Sequence, residues 1–176
     1  MNYQITQCLM LSPSIKEITL APLVPAPCEA TAGAHFKWWI PQLEQWRHYS
    51  RVELAEHELP QGSLVFAIRL NPDSSSSAYI RQLKVGDQVR LDGPFNAFDY
   101  QLDDNDGADI ALAGGIGITP LTGILGHLRA RQRPARLHYF AKSADDAAYA
   151  AQMRELLQDS LSLHCSDSAE GRPRKS

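Results

Sequence analysis

The stretch at residues 109–120, DIALAGGIGITP, constrains this chain more than any other. It opens on an apolar run, Ile110, Ala111, Leu112 and Ala113, of the kind a fully buried parallel strand shows. Glycines follow at 114, 115 and 117, then Thr119-Pro120 and the apolar-periodic run LTGILGHLRAR. Threonine is a good N-cap, and proline is pre-set for the first helical position. The stretch therefore predicts a strand, a tight glycine turn and a helix N-terminus. The unpaired N–H groups and dipole of such a terminus suit an anionic phosphate. Taken alone, the glycines fit a βα loop with positive φ angles equally well. Neither familiar phosphate pattern is met: a dinucleotide fingerprint needs glycine where Pro120 stands, and a Walker loop needs a Gly-Lys-Ser/Thr that is absent.

Beyond this turn the chain alternates in type. A helix is expected over 120–132, stopped before Pro134, then a strand over 136–141, a helix over 144–158 and a strand over 161–165. Ser143 with Asp146 has the spacing of a capping box for the second helix. Alternating β and α argues a parallel sheet with right-handed crossovers. The run DDNDG at 103–107 reads as a solvated linker, and it lacks the glutamate that would close an EF-hand loop.

The chain before the turn reads as β. Tyr3, Ile5, Ile15, Ile18 and Leu20 recur at near-alternating positions, with a turn at Ser12-Pro13. Residues 21–32 read as a loop, and strands are expected over 33–40, 47–54 and 63–70, with another after the turn at 85–87. Short strands at this spacing suggest a small antiparallel barrel. One helical turn interrupts them: four serines, 74–77, precede AYIRQL, and place hydroxyls and free N–H groups where an anion can be held.

Composition removes several classes of function. A chain of 176 residues with net charge −3 has no basic footprint for nucleic acid. No apolar run approaches membrane-spanning length, and MNYQITQ lacks the features of a signal peptide, so a cytoplasmic protein is expected. The three cysteines, 8, 28 and 165, supply neither a C-x-x-C pair nor the four thiolates of an iron–sulfur cluster, and no metal site is expected among the histidines.

A second constellation is Arg47-His48-Tyr49-Ser50. A guanidinium can grip a phosphate bidentately while a neighbouring ring packs on a flat cofactor. By itself, an Arg-x-Tyr-Ser strand is usually surface alternation. In combination the pattern is sharper. The string AGGIGITPL at 113–121 resembles the nicotinamide loop of the ferredoxin–NADP reductase superfamily, above all the reductase components of oxygenases. Arg47-x-Tyr49-Ser50 resembles that superfamily's flavin motif. Gly33-Ala34-His35, Val85-Gly86-Asp87, Gly93-Pro94, Asn96-x-Phe98 and His138-Tyr139-Phe140-Ala141-Lys142-Ser143 resemble further family segments, in the family's order.

The resemblance implies a flavin-binding β-barrel over about 1–102, then a parallel α/β nucleotide domain over 108–176 that is partial beside its relatives. It implies an NAD(P)H-dependent flavin oxidoreductase passing electrons to an oxygenase component or a ferredoxin. Arg47, His48, Tyr49, Ser50, Ser74, Ser75 and Ser76 would hold the flavin, and Gly114, Gly115, Gly117, Ile118 and Thr119 the nicotinamide nucleotide, with no side chain catalytic in its own right. The serines stand where these reductases usually carry Gly-Gly-Ser, and Arg51 intervenes where the family is apolar, which could alter redox tuning or access. The Cys-Gly-Pro loop and the ferredoxin domain of relatives are not in the sequence, so the competing expectation is a flavin-binding module without hydride transfer. One terminal phosphate would saturate Arg47 and the serines, and no aromatic is reserved for adenine, which favours FMN over FAD. Asp145 and Asp146 would repel a 2′-phosphate, which favours NADH, although Lys142 and Ser143 could serve one.

Overall fold

The computed structural model describes residues 1–24, 29–54, 59–96 and 107–167. Six antiparallel strands close into a barrel in the spatial order β1-β2-β5-β4-β3-β6. They are β1 (Asn2–Ser12), β2 (Ile15–Pro22), β3 (His35–Ile40), β4 (Gln45–Val52), β5 (Leu64–Arg69) and β6 (Gln88–Phe95). Period-2 alternation makes the barrel core. On β3, Phe36, Trp38 and Ile40 are fully buried while His35, Lys37 and Trp39 point outward. Phe36 and Trp38 meet Phe66 of β5 edge-on, at 5.8 and 5.6 Å between ring centroids, an arrangement that suits the aromatic quadrupole.

Helix α1 (Ser75–Gln82) follows β5 and packs Ile80 into the barrel core. The Ser74 side chain caps it by accepting from the Ser77 N–H. Its other end is held by Lys16 of β2, only 7% exposed, whose ammonium donates to the carbonyls of Ile80, Arg81 and Leu83 at 3.1, 3.1 and 2.6 Å. A buried lysine is costly without partners. Here its three donors meet three carbonyls that the helix leaves open.

The second half is a parallel sheet in the order β7-β8-β9, with β7 (Asp109–Gly114), β8 (Ala135–Ala141) and β9 (Leu161–Cys165). Helix α2 (Thr119–Ala130) and helix α3 (Ala150–Leu157) are the crossovers. Helix α2 ends in a Schellman arrangement: Gln132 takes φ 57°, the Arg133 N–H reaches Leu128 O and the Gln132 N–H reaches Arg129 O.

Several expectations need correction. The strand at 109–113 is buried on one face alone: Ala113 is buried, but Ile110 and Leu112 are each 69% exposed and Phe140 of β8 is 49% exposed. The expected helix over 144–158 begins only at Ala150. The Ser143 hydroxyl does accept from the Asp146 N–H at 3.3 Å, but the Asp146 carboxylate turns away to Ser14 Oγ at 3.0 Å and Ser12 Oγ at 3.4 Å. That contact with the barrel competes with a helical turn and wins. Thr119 is not an N-cap, because a 3-10 turn at Gly115–Ile118 runs straight into α2 and Thr119 is already helical. Ala21 and Pro22 belong to β2 rather than to a loop. The linker residues 103–106 and Phe98 lie outside the described residues.

The two halves share one core. Ile15, Val52, Val65 and Ala67 on the outside of the barrel pack with Ile118, Ile124, Leu125, Leu128, Tyr139 and Met153 of the α/β half. Strand β2 is therefore buried on both faces from Ile15 to Leu20.

Candidate functional site

Alternation along β4 divides the predicted flavin motif. Arg47 and Tyr49 pair with Trp38 and Phe36, the inward residues of β3, while His48 and Ser50 pair with the outward Lys37 and His35. The Tyr49 ring meets Trp38 edge-on at 6.0 Å. Burial raises the Tyr49 phenol above its usual range, against a hydrogen bond with Ser76 and the Arg47 cation, which both pull it down. Ser76 Oγ lies 2.9 Å from Ser74 Oγ. The fold thus brings Arg47, Tyr49, Ser74 and Ser76 together. It does not bring His48 to them; that exposed ring stacks on His35 at 5.2 Å. Ser50 shares the His48 face, and Ser75 is exposed at the start of α1.

This group has spare capacity for an anion. Arg47 donates only to Trp46 O at 3.4 Å, and it forms no ion pair among the described residues. The first N–H groups of α1 have no intrahelical acceptor. Arg51 is different: its guanidinium pairs with Glu53 and donates to Ala30 O at 3.1 Å. Its charge is balanced by Glu53.

The glycine turn has three distinct positions. Gly115 takes φ +50°, which L side chains rarely adopt, and a methyl there would lie 3.1 Å from the guanidinium of Arg69. Gly114 and Gly117 have nothing within 4 Å of where a Cβ would stand, so open space lies over both. Ile118 is fully buried, and Thr119, 5% exposed, donates its hydroxyl to Ile116 O at 3.1 Å. Both side chains are buried, and the Thr119 N–H is itself bonded to Ile116 O. Arg69, at the end of β5, is the residue that sequence reasoning missed. A single cation closing the apolar strand SLVFAIRL carries no spacing signal. The structure sets its guanidinium beside the turn, at Gly115.

Past β8, Asp146 is bound to the two barrel serines, so Asp145 and Lys142 are the exposed charges at that strand's end. Among the described residues no group of three or more potential metal ligands comes together, and no helix is long and apolar enough to cross a membrane.

A family model described as the oxidoreductase FAD-binding domain matches residues 6–100, more than half of the chain. The chain belongs to this family. A curated relative is the reductase component of propane 2-monooxygenase from Mycolicibacterium goodii, 29% identical, with 94% of this chain and 49% of that protein aligned. Another is the β subunit of phenoxybenzoate dioxygenase from Ectopseudomonas oleovorans, 34% identical over 81% of this chain and 42% of the relative. The chain thus spans about half the length of the curated relatives it matches. Among solved structures, phthalate dioxygenase reductase superposes on all of this chain and 54% of its own, with a TM-score of 0.80 at 24% identity, which is a likeness of fold. The family's flavin fits the residues present. Arg47 makes no ion pair among the described residues, the N–H groups of Ser75 and Ser76 open α1 ahead of its first intrahelical bond, and the Tyr49 hydroxyl lies beside them.

Proposed function

We propose that this chain is the flavin- and nucleotide-binding part of an NAD(P)H-dependent reductase that delivers electrons to an oxygenase component or a ferredoxin. The observation that carries the reading is that the glycine turn shares one core with the family's FAD-binding barrel and lies beside Arg69 at the end of that barrel's β5. Arg47, Ser74, Ser76 and the α1 N-terminus hold the flavin phosphate, and Tyr49 orients the part of the cofactor nearest the barrel. Gly114, Gly115 and Gly117 present backbone N–H groups to the nicotinamide nucleotide, with Arg69 balancing its charge. The bound flavin supplies the conversion between a two-electron hydride and single electrons. No described side chain is needed as acid or base.

The family's description names FAD. Arg47 and a helix N-terminus serve a pyrophosphate as readily as the single phosphate that favours FMN, and heat release with chromatography separates the two. We assign NADH as the donor on the exposed Asp145, which repels a 2′-phosphate, and the cytoplasm as the compartment that supplies it. The deciding experiment is anaerobic addition of NADH to the flavin-loaded chain. Bleaching of the flavin band supports the reading. A yellow protein that does not bleach supports the flavin-binding module instead, and a colourless one overturns both.

A further inference from the structure

Three buried polar side chains lie outside the groups assigned above. Glu17 of β2 and Tyr149 are each 6% exposed, and Tyr139 of β8 is fully buried. Polar groups at that depth are costly unless bonded. The Tyr149 hydroxyl donates to the Glu17 carboxylate, which ties the segment before α3 to the barrel wall. The Tyr139 hydroxyl lies 3.1 Å from two carbonyl oxygens, that of Ala148, next in sequence to Tyr149, and that of Gly115 in the glycine turn. A continuous set of contacts therefore runs from β2 through Glu17, Tyr149, the Ala148 carbonyl and Tyr139 to the carbonyl of Gly115.

Two features mark this as more than packing. Tyr149 takes φ 61°, a conformation that a bulky residue adopts only when its surroundings enforce it. The Tyr139 contact falls on the one glycine of the turn whose backbone is left-handed, with Arg69 on its other side. The direction of the Gly115 carbonyl fixes the opposite direction for the Ile116 N–H in the same planar peptide, and with it the start of the turn that the function proposed above sets against the nucleotide.

We propose that Glu17, Tyr149 and Tyr139 are positioning residues that hold the glycine turn at a set height over the barrel, and so set the approach of the nicotinamide to the flavin. The inference rests on the function proposed above. Hydride transfer falls steeply with misplacement, so loosening the turn lowers the transfer rate more than it weakens binding.

The test uses the full chain in two arms. In the first, amide hydrogen exchange is followed at residues 114–118 without nucleotide, in Tyr139→Phe, Tyr149→Phe and Leu125→Ala. Leu125 lies in the same core, 1% exposed, and its truncation is a purely structural control. Faster exchange confined to the turn in the two tyrosine variants, but not in Leu125→Ala, is expected. In the second, NADH reduction of the flavin-loaded protein is timed by stopped flow. The limiting rate falls about tenfold or more in the tyrosine variants while flavin affinity holds, a split that lost stability alone does not produce. Glu17→Gln, which keeps an acceptor oxygen, retains the wild-type rate, and Glu17→Leu does not. Unchanged exchange at the turn, or a rate loss in Leu125→Ala equal to that of the tyrosine variants, overturns the proposal. A wild-type protein that binds flavin without being reduced overturns the functional reading instead, and the exchange arm still decides whether these residues hold the turn.

Discussion

Arg47 is where sequence and structure meet most directly. Its guanidinium lies beside Tyr49 and has no carboxylate partner among the described residues. Arg47→Ala should weaken flavin binding by about 1.5–3 kcal/mol, the scale of one lost charge-assisted hydrogen bond. Fluorescence titration measures this directly, and unchanged retention of flavin would remove Arg47 from the site. Tyr139 and Tyr149 give a second test, through pH. Burial holds both phenols well above their usual range, and for Tyr149 the bond to Glu17 raises it further. In the unfolded chain they ionise at about pH 10. With the folded values raised, the stability they carry is complete below that pH and is lost as pH climbs toward the folded values. Thermal unfolding midpoints should therefore drop above about pH 10, and Tyr149→Phe should flatten the drop. Residue chemistry and the family resemblance made Arg47 and Tyr49 candidates together with His48 and Ser50, but sequence could not say which of the four would face the serines. Arg69 and Glu17 were not legible at all, because each acquires its role only when the second half folds against β5 and β2.

Elements were legible where a local pattern ruled them. The strand at β3, β-prone through its aromatics, and a helix start at the serines of α1 follow from sequence alone. Failures came where a distant partner competed. The segment at 144–149 has a helical composition, yet Ser12, Ser14 and Glu17 on the barrel capture Asp146 and Tyr149 and unwind it. An apolar run at 109–113 reads as a strand covered on both faces, whereas Ile110 and Leu112 face outward with Phe140. Lys16 shows the same dependence on tertiary contact. Lys16→Met would leave the carbonyls of Ile80, Arg81 and Leu83 without their donor, at a cost of about 1–3 kcal/mol. The looser α1 would carry Ser74 and Ser76 with it. Urea melts should show the destabilisation, and flavin titration a weaker affinity that Lys16→Arg restores in part. Full stability in Lys16→Met would mean that water serves those carbonyls equally well.

At the scale of the whole molecule, the boundary that sequence draws near residue 102 is not an energetic one. Ile15, Val52, Val65 and Ala67 belong to the barrel by chain order but pack in the same core as Ile124, Leu125, Leu128 and Met153. Two further contacts cross the seam. The Thr122 hydroxyl accepts the Glu53 N–H at 3.0 Å, and Gly123 leaves room for the Glu53 side chain, whose Cβ would lie 3.2 Å from an added methyl. A shared core of this kind makes separate melting of the halves unfavourable, since unfolding either one exposes the apolar face of the other. The chain should therefore unfold in one transition, with far-UV dichroism and flavin release tracing the same curve. Leu125→Ala removes a buried side chain from the α/β side and should cost about 2–5 kcal/mol. Because the core is common, that loss should lower the midpoint for flavin release from the barrel as much as the midpoint for loss of helix. Flavin release that keeps its wild-type midpoint while the helical signal melts early would show two independent domains.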